Sequence, residues 1–229
     1  MQAGVIVFPG SNCDRDAAGA IAAVTGRPTR MIWHKASTLP PLDLIVVPGG
    51  FAYGDYLRAG AIAAHSPVMA EVRARAADGV LVLGICNGFQ VLTESGLLDG
   101  VLLRNAGLRF VCRDVHLRVE AAATPFTRGY RPGQVVRMPI AHNEGNYYAD
   151  QATVDRLLDE NRVAFTYCDG EGRADAEANP NGSLRNIAGI VNRRGNVLGL
   201  MPHPERLADP LLGGTDGRAM FEGLLAAVA

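Results

Sequence analysis

A chain of 229 residues that is 48% hydrophobic and 20% charged has enough apolar surface to fold, which excludes a disordered polymer. At about 150 residues per domain it is expected to form one unit over residues 1–229. Twenty-two basic and 23 acidic side chains give a net charge of −1, so overall charge makes no case for nucleic acid or an anionic membrane as partner. No apolar run approaches the ~18 residues needed to cross a bilayer. Met1–Gly4 shows neither the basic region nor the apolar stretch of a secretion signal, so the cytoplasm is the expected location. Lys35 is the only lysine beside 21 arginines, which reads as coding bias.

In chain order, Gly4–Phe8 is a near-continuous apolar run, as suits a strand buried on both faces. Pro9-Gly10 stops it, and Asp14–Val24 reads as a helix with Ser11 or Asn12 as its cap. Thr29–Trp33 and Asp43–Val47 are further strands, the second ended by Pro48-Gly49-Gly50. Leu57–Ala64 and Pro67–Ala77 are Ala-rich helical stretches, the latter with proline in its first turn. Val80–Ile85 is a fourth strand and Gly88–Glu94 a helix. This alternation implies a parallel sheet flanked by helices.

The second half changes character. Leu108, Phe110 and Cys112 alternate with Arg109, Val111 and Arg113. Val115, Leu117 and Val119 alternate with His116, Arg118 and Glu120. A period of two implies strands with one solvated face, hence antiparallel pairing. Val135–Ile140, Val163–Cys168, Ile187–Asn192 and Val197–Met201 add strands, with Asn192–Asn196 as a tight hairpin turn. Thr153–Glu160 and Gly217–Val228 are the last helices.

The chemistry concentrates at Gly84-Ile85-Cys86-Asn87-Gly88, between a buried strand and a helix. This is the setting of a nucleophile elbow, with a thiol in place of a hydroxyl. Small neighbours admit a strained backbone at the nucleophile, and the positive end of the helix favours a thiolate. The Asn87 N–H points where an oxyanion forms. Cys13, Cys112 and Cys168 lack this setting and read as structural, and no cysteine spacing suggests zinc. Of five histidines, His203 has the most telling surroundings, Met201-Pro202-His203-Pro204-Glu205-Arg206. In a proline-stiffened extended segment His203 and Glu205 share a side, so Glu205 can orient the imidazole. His34, His65 and His116 read as ordinary surface or strand histidines. Pro48-Gly49-Gly50 lies beyond the carboxyl end of a parallel strand, where open α/β sheets bind ligands. It offers a second oxyanion donor at Gly50 or its neighbour Phe51.

These segments, Gly84–Gln90, Pro48–Gly50 and His203–Glu205, together resemble the class I, triad-type glutamine amidotransferases. Pro9–Asp14, Gly50–Gly60, Ile140–Gly145 and Met201–Arg206 narrow the resemblance to glutaminase subunits of de novo purine synthesis. Those subunits supply ammonia for converting formylglycinamide ribonucleotide to formylglycinamidine ribonucleotide. The resemblance runs from Val5 to about Phe221. It implies a flavodoxin-like, mostly parallel α/β sheet with helices on its faces and added antiparallel strands. It puts the nucleophile at Cys86, the base at His203, the orienting carboxylate at Glu205 and the oxyanion donors near Gly50 and at Asn87. Gln90 falls at a position lining the substrate pocket.

The implied substrate is glutamine. The implied partners are an ATP-dependent synthetase subunit and a small bridging subunit, with ATP and magnesium on the synthetase and no metal or cofactor in this chain. The place of His142–Gly145 stays open between pocket mouth and partner surface. The seven arginines between Arg104 and Arg137 suit either an acidic partner or a solvated face. Two other readings compete. One is a non-catalytic glutamine-sensing subunit. The other is a different cysteine hydrolase of the superfamily, which typically lacks the His-Pro-Glu arrangement.

Overall fold

The structure, a computed structural model, describes residues 1–120 and 124–228. Its elements are β1 (Ala3–Val7), α1 (Asp14–Thr25), β2 (Arg30–Trp33), β3 (Leu44–Val47), α2 (Ala61–Ala64), α3 (Val68–Ala77), β4 (Leu81–Ile85), α4 (Asn87–Glu94), β5 (Val101–Leu103), β6 (Val111–Val119), β7 (Val135–His142), β8 (Asn146–Tyr148), α5 (Gln151–Asp159), β9 (Val163–Cys168), β10 (Ile187–Val191), β11 (Val197–Leu200) and α6 (Arg218–Ala227). Among the described residues nine strands form one sheet in the order β2-β1-β3-β4-β11-β10-β9-β6-β7, and β5 and β8 form a separate pair.

The first five neighbours, β2-β1-β3-β4-β11, are parallel, in the doubly wound order of flavodoxin-like folds. Every residue of β3, β4 and β11 is buried, so their unbroken apolar runs follow from having both faces covered. From β11 outward the pairs β11–β10, β10–β9, β9–β6 and β6–β7 are antiparallel. The expected antiparallel second half therefore holds except at β11. The Asn192–Asn196 hairpin reverses the chain, and β11 enters the sheet in line with β4. Helix α4 packs on β3, β4 and β11, while α1 packs on β1 and α6.

Three local expectations need correction. Neither Ser11 nor Asn12 caps α1: Cys13 holds the N-cap position with no side-chain cap bond. The Ser11 hydroxyl donates instead to the Gly49 carbonyl, and the Asn12 amide oxygen accepts from the Cys13 thiol. Both side chains serve the neighbouring loop rather than the helix. Only Ala61–Ala64 of the Leu57–Ala64 stretch is helical, because Leu57 and Gly60 take left-handed backbone conformations. Finally, Leu108 and Phe110 precede β6, and Leu108, Phe110 and Cys112 are all exposed. Their alternation with Arg109, Val111 and Arg113 marks no buried face, since this stretch projects past β9.

Candidate active site

Strand β4 delivers Cys86 to the carboxyl end of the parallel sheet. There Cys86 adopts φ 50° and ψ −108°, at the N-cap of α4. A non-glycine residue in that region is strained, and its surroundings hold it there. The Cys86 N–H donates to the Leu200 carbonyl on β11 at 2.8 Å. Gly88 must be glycine, because a Cβ would overlap the Val47 carbonyl. The elbow thus rests on the contact of α4 with β3. The Asn87 N–H lies in the first turn of α4, where no intrahelical acceptor exists.

The segment after β11 brings the second group. The His203 N–H donates to the Pro139 carbonyl on β7 at 2.9 Å, and its imidazole Nδ1 lies 2.7 Å from Oε1 of Glu205. Both side chains are almost fully buried. With Nδ1 committed to Glu205, Nε2 is the ring nitrogen left for chemistry, and it has no hydrogen-bond partner among the described residues. A Cβ on Gly49 would press on the His203 ring, Cys86 Cβ and Cys13 Sγ, so thiol and imidazole converge on that glycine. Burial works against charge on His203, but Glu205, Cys86 and Cys13 outweigh it and hold the imidazole pKa well above its ordinary value. The arrangement is that of a base ready to take a thiol proton, backed by a carboxylate.

Cys13 belongs to this centre and was missed by the sequence reading. It is buried, its sulfur accepts from the Arg206 guanidinium at 3.1 Å, and it clusters with His203 and Glu205. The motif Pro9–Asp14 carried the signal, but nothing in its spacing tells that α1 starts beside residue 203. Cys168 is buried as expected, and burial pushes its thiol up to about 11. Cys112 is exposed, contrary to a structural role in the core. His34 is also buried, with Nδ1 2.6 Å from the Tyr53 hydroxyl.

In front of Cys86 lies a cavity of about 260 Å³, lined by Gly50, Phe51, Asp55, Gln90, Arg104 and the Ala141–Glu144 segment. Drug-sized pockets run roughly 300–1,000 Å³, so this one suits a molecule the size of an amino acid. A larger cleft of about 600 Å³ between α1 and Arg206 touches Glu205 from behind without reaching Cys86, and so holds no reacting atom.

The two suggested loop donors separate. The Phe51 N–H donates to the Gly10 carbonyl at 3.2 Å, which removes it from use. Gly50 has φ 125°, and a Cβ there would collide with Asn12. The Gly50 N–H, by contrast, has no acceptor among the described residues.

Gln90 lines the cavity as expected, but its amide is tied at both ends. Its Nε2 donates to the Glu144 carbonyl at 2.5 Å, and its Oε1 accepts from Asn87 Nδ2 at 2.8 Å. Asn87 also donates to Asp55 at 3.0 Å and accepts from the Ala52 N–H, so its side chain braces the loop over the pocket. The His142–Gly145 segment lies at the pocket. The Ala141 carbonyl is 3.8 Å from the Cys86 sulfur. His142 hydrogen-bonds Asn181, and burial, with a smaller push from His203, drives it down to about 3. Burial thus favours its neutral form.

Three charged groups at the cavity had no assigned role: Asp55, Glu144 and Arg104. Burial and then Glu144 push the Asp55 carboxyl up to about 6, against the opposing bond from Asn87. Glu144 accepts from the Ala59 N–H and pairs with Arg104 at 3.9 Å.

Comparisons with known proteins bear on the family. The CobB/CobQ-like glutamine amidotransferase domain matches residues 1–213. The phosphoribosylformylglycinamidine synthase subunit PurQ of Bradyrhizobium diazoefficiens is 60% identical over 225 residues, which cover 98% of this chain and 97% of that protein. The subunit of the same name from Gloeobacter violaceus is 58% identical, over 99% and 97% of the two chains. Among solved structures, PurLQS from Thermotoga maritima superposes with a TM-score of 0.86 and 42% identity, covering 100% of this chain and 99% of that one. Likeness of this extent and identity shows the family: the chain belongs to the glutamine amidotransferases, among the PurQ subunits of phosphoribosylformylglycinamidine synthase.

Proposed function

We propose that this chain is the glutaminase subunit of phosphoribosylformylglycinamidine synthase, working as one amidotransferase unit over residues 1–229. It releases ammonia from glutamine for the step that turns formylglycinamide ribonucleotide into formylglycinamidine ribonucleotide in purine synthesis. The observation that carries this reading is the strained Cys86 meeting the His203–Glu205 pair at Gly49, with a cavity of amino-acid size in front of the thiol. The likeness to PurLQS supports assembly with an ATP-dependent synthetase and a small bridging subunit. ATP and magnesium belong to the synthetase in this scheme, and no step in this chain uses a metal or cofactor. The cytoplasm is the proposed location, and no helix among the described residues is long and apolar enough to cross a membrane.

In the mechanism, His203 Nε2 takes the Cys86 thiol proton and the sulfur attacks the side-chain amide carbon of glutamine. The carbonyl oxygen becomes an oxyanion held by the Gly50 and Asn87 N–H groups; one such donor is worth about 2.7–4 kcal/mol. The imidazolium gives its proton to the leaving nitrogen, which departs as ammonia. Water, deprotonated by His203, then attacks the thioester, releases glutamate and restores the thiol. Asp55 and Glu144 suit the α-ammonium of glutamine, and Arg104 suits its α-carboxylate. Gln90 and Asn87 keep that wall in place.

Intact-mass measurement after treatment with a diazo-ketone glutamine analogue tests the reading, with the subunit alone and with the synthetase subunits. One adduct is expected, absent from Cys86→Ala. No adduct under either condition would favour a glutamine-sensing subunit without turnover.

A further inference from the structure

Apolar side chains that the fold leaves uncovered lie on the two segments that supply Phe51, Asp55 and Arg104 to the cavity wall. From the loop beyond Gly50 come Phe51, Tyr56 and Leu57, and from the segment leading into β6 come Leu108 and Phe110. Leu57 is 91% exposed and Leu108 75%, yet both have positive φ, 68° and 52°. Leucine is disfavoured there because its Cβ crowds the backbone. In this chain neither residue gains buried surface in return.

The strand beside them is equally unfinished. β6 pairs with β7 from Val111 to Arg118 but with β9 only from His116 to Val119. Along Val111–Val115 one edge of β6 is therefore open among the described residues, a place where another chain can add hydrogen bonds. Some arginines of this half are committed within the fold. Arg118, Arg128 and Arg137 are tied to Glu120, the Ala226 carbonyl and Asp114. Arg109 and Arg113 are exposed and form no ion pair among the described residues.

We infer that this rim, made of Leu57, Leu108, Phe110 and the open β6 edge with Arg109 and Arg113, is the docking surface for the ammonia-consuming synthetase subunit. The inference rests on the glutaminase reading above. The product itself argues for this occupant. Free ammonia in water takes a proton and loses its nucleophilic lone pair, so its consumer must seat over the mouth from which it leaves. The other edge of the same stretch meets the cavity wall: the register partners of Val111 and Cys112 on β7 are His142 and Ala141, two residues of that wall. A partner strand or loop on the open edge sits one strand from the pocket, with apolar surface against the leucines and carboxylates against the two arginines.

The test measures the dissociation constant between the purified full-length subunit and the synthetase, with the bridging subunit present. The variants are Leu108→Gly and Phe110→Asp, with Leu211→Asp as control. Leu211 is 93% exposed and lies near Gly213, which contacts Arg137 at the other end of β7. The expected result is at least tenfold weaker binding for Phe110→Asp, several-fold weaker for Leu108→Gly and no change for Leu211→Asp. Glycine removes the strain at position 108, so the melting temperature of Leu108→Gly should equal or exceed that of the parent. Weaker binding by a protein at least as stable separates docking from a folding defect. Rim variants that bind the synthetase as tightly as the parent would overturn the inference. So would variants that lose only the bridging subunit. Binding is read without turnover, so an inactive wild-type complex would count against the glutaminase reading and not against the surface.

Discussion

Asp55 carries two opposing demands, and its titration separates them. Its folded pKa, pushed up to about 6 by burial and by Glu144, exceeds the roughly 3.9 of an unfolded aspartate. The fold therefore favours the protonated form. That contribution is complete below the unfolded pKa and is lost as pH rises through about 6. At pH 7.5 the side chain is ionised at a cost to stability, which the proposed function explains by the glutamine α-ammonium it awaits. Asp55→Asn is expected to raise the unfolding free energy at pH 7.5 by an amount on the order of 1 kcal/mol after solvent screening, with a higher melting temperature. The gain should shrink as pH falls below 5. The same variant should raise KM for glutamine several-fold with a smaller effect on kcat. A KM unchanged from the parent would remove Asp55 from glutamine binding. Glu205 is a different case, since it is buried against His203 with one oxygen bonded. Glu205→Gln leaves the imidazole without its counter-charge, and breaking such a buried pair costs about 3–5 kcal/mol. Activity should fall by orders of magnitude, with the basic group in the pH–rate profile displaced downward. A profile unmoved by the change would show that Glu205 does not support His203.

At the scale of elements, the nucleophile elbow depends on how closely α4 approaches β3. Gly88 faces the Val47 carbonyl and Gly84 faces Leu92 and the Gly88 backbone, so the first turn of α4 lies against the strand with no room for a methyl group. Overpacking in a core usually costs about 1–3 kcal/mol, and here the obstacle is backbone. Gly88→Ala should lose at least that much stability in urea unfolding and most of its glutaminase activity, because the Asn87 N–H moves with the helix. A variant with parental stability and activity would show that this approach is not needed. The loop from Gly50 to Gly60 makes the complementary case. Tyr53, Asp55 and Leu57 all have positive φ, and the loop is held by side chains, through Tyr53 to His34 and Ser66 and through Asn87 to Ala52 and Asp55.

In the whole molecule, two half-sheets meet at β11, and the site sits at that junction. The parallel half supplies the Gly49–Gly50 turn and Cys86. The antiparallel half supplies Ala141–Glu144 and anchors His203 through Pro139. Stability should be graded in the same way. Amides of β3, β4 and β11, buried on every residue, are expected to exchange hydrogen only through global unfolding. Outward-facing amides of β6 between Val111 and Val115 should exchange much faster, and slow markedly when the synthetase is bound. Fast exchange in β4, or no protection of β6 in the complex, would contradict this grading.

The sequence by itself determined strands β1 to β4 of the parallel half-sheet, the elbow at Cys86 and the coupling of His203 with Glu205, but not the parallel entry of β11. The first two depend on short-range rules, continuous apolar runs and small residues at a strained turn, whereas His203 and Glu205 pair through a 3-10 turn over Pro204–Leu207 and not through the extended chain expected. The triad resemblance drew on the same local strings. Only the tertiary structure decided that Cys13 lies beside His203, that Phe51 has spent its N–H on Gly10, and that Asp55, Arg104 and Glu144 meet around one cavity. Those facts join segments 40 to 190 residues apart, and no local periodicity encodes which loop faces which. The open edge of β6 is of the same kind. The alternation at Leu108–Arg113 announced a strand with a buried face, and only the shorter reach of β9 left that stretch in solvent.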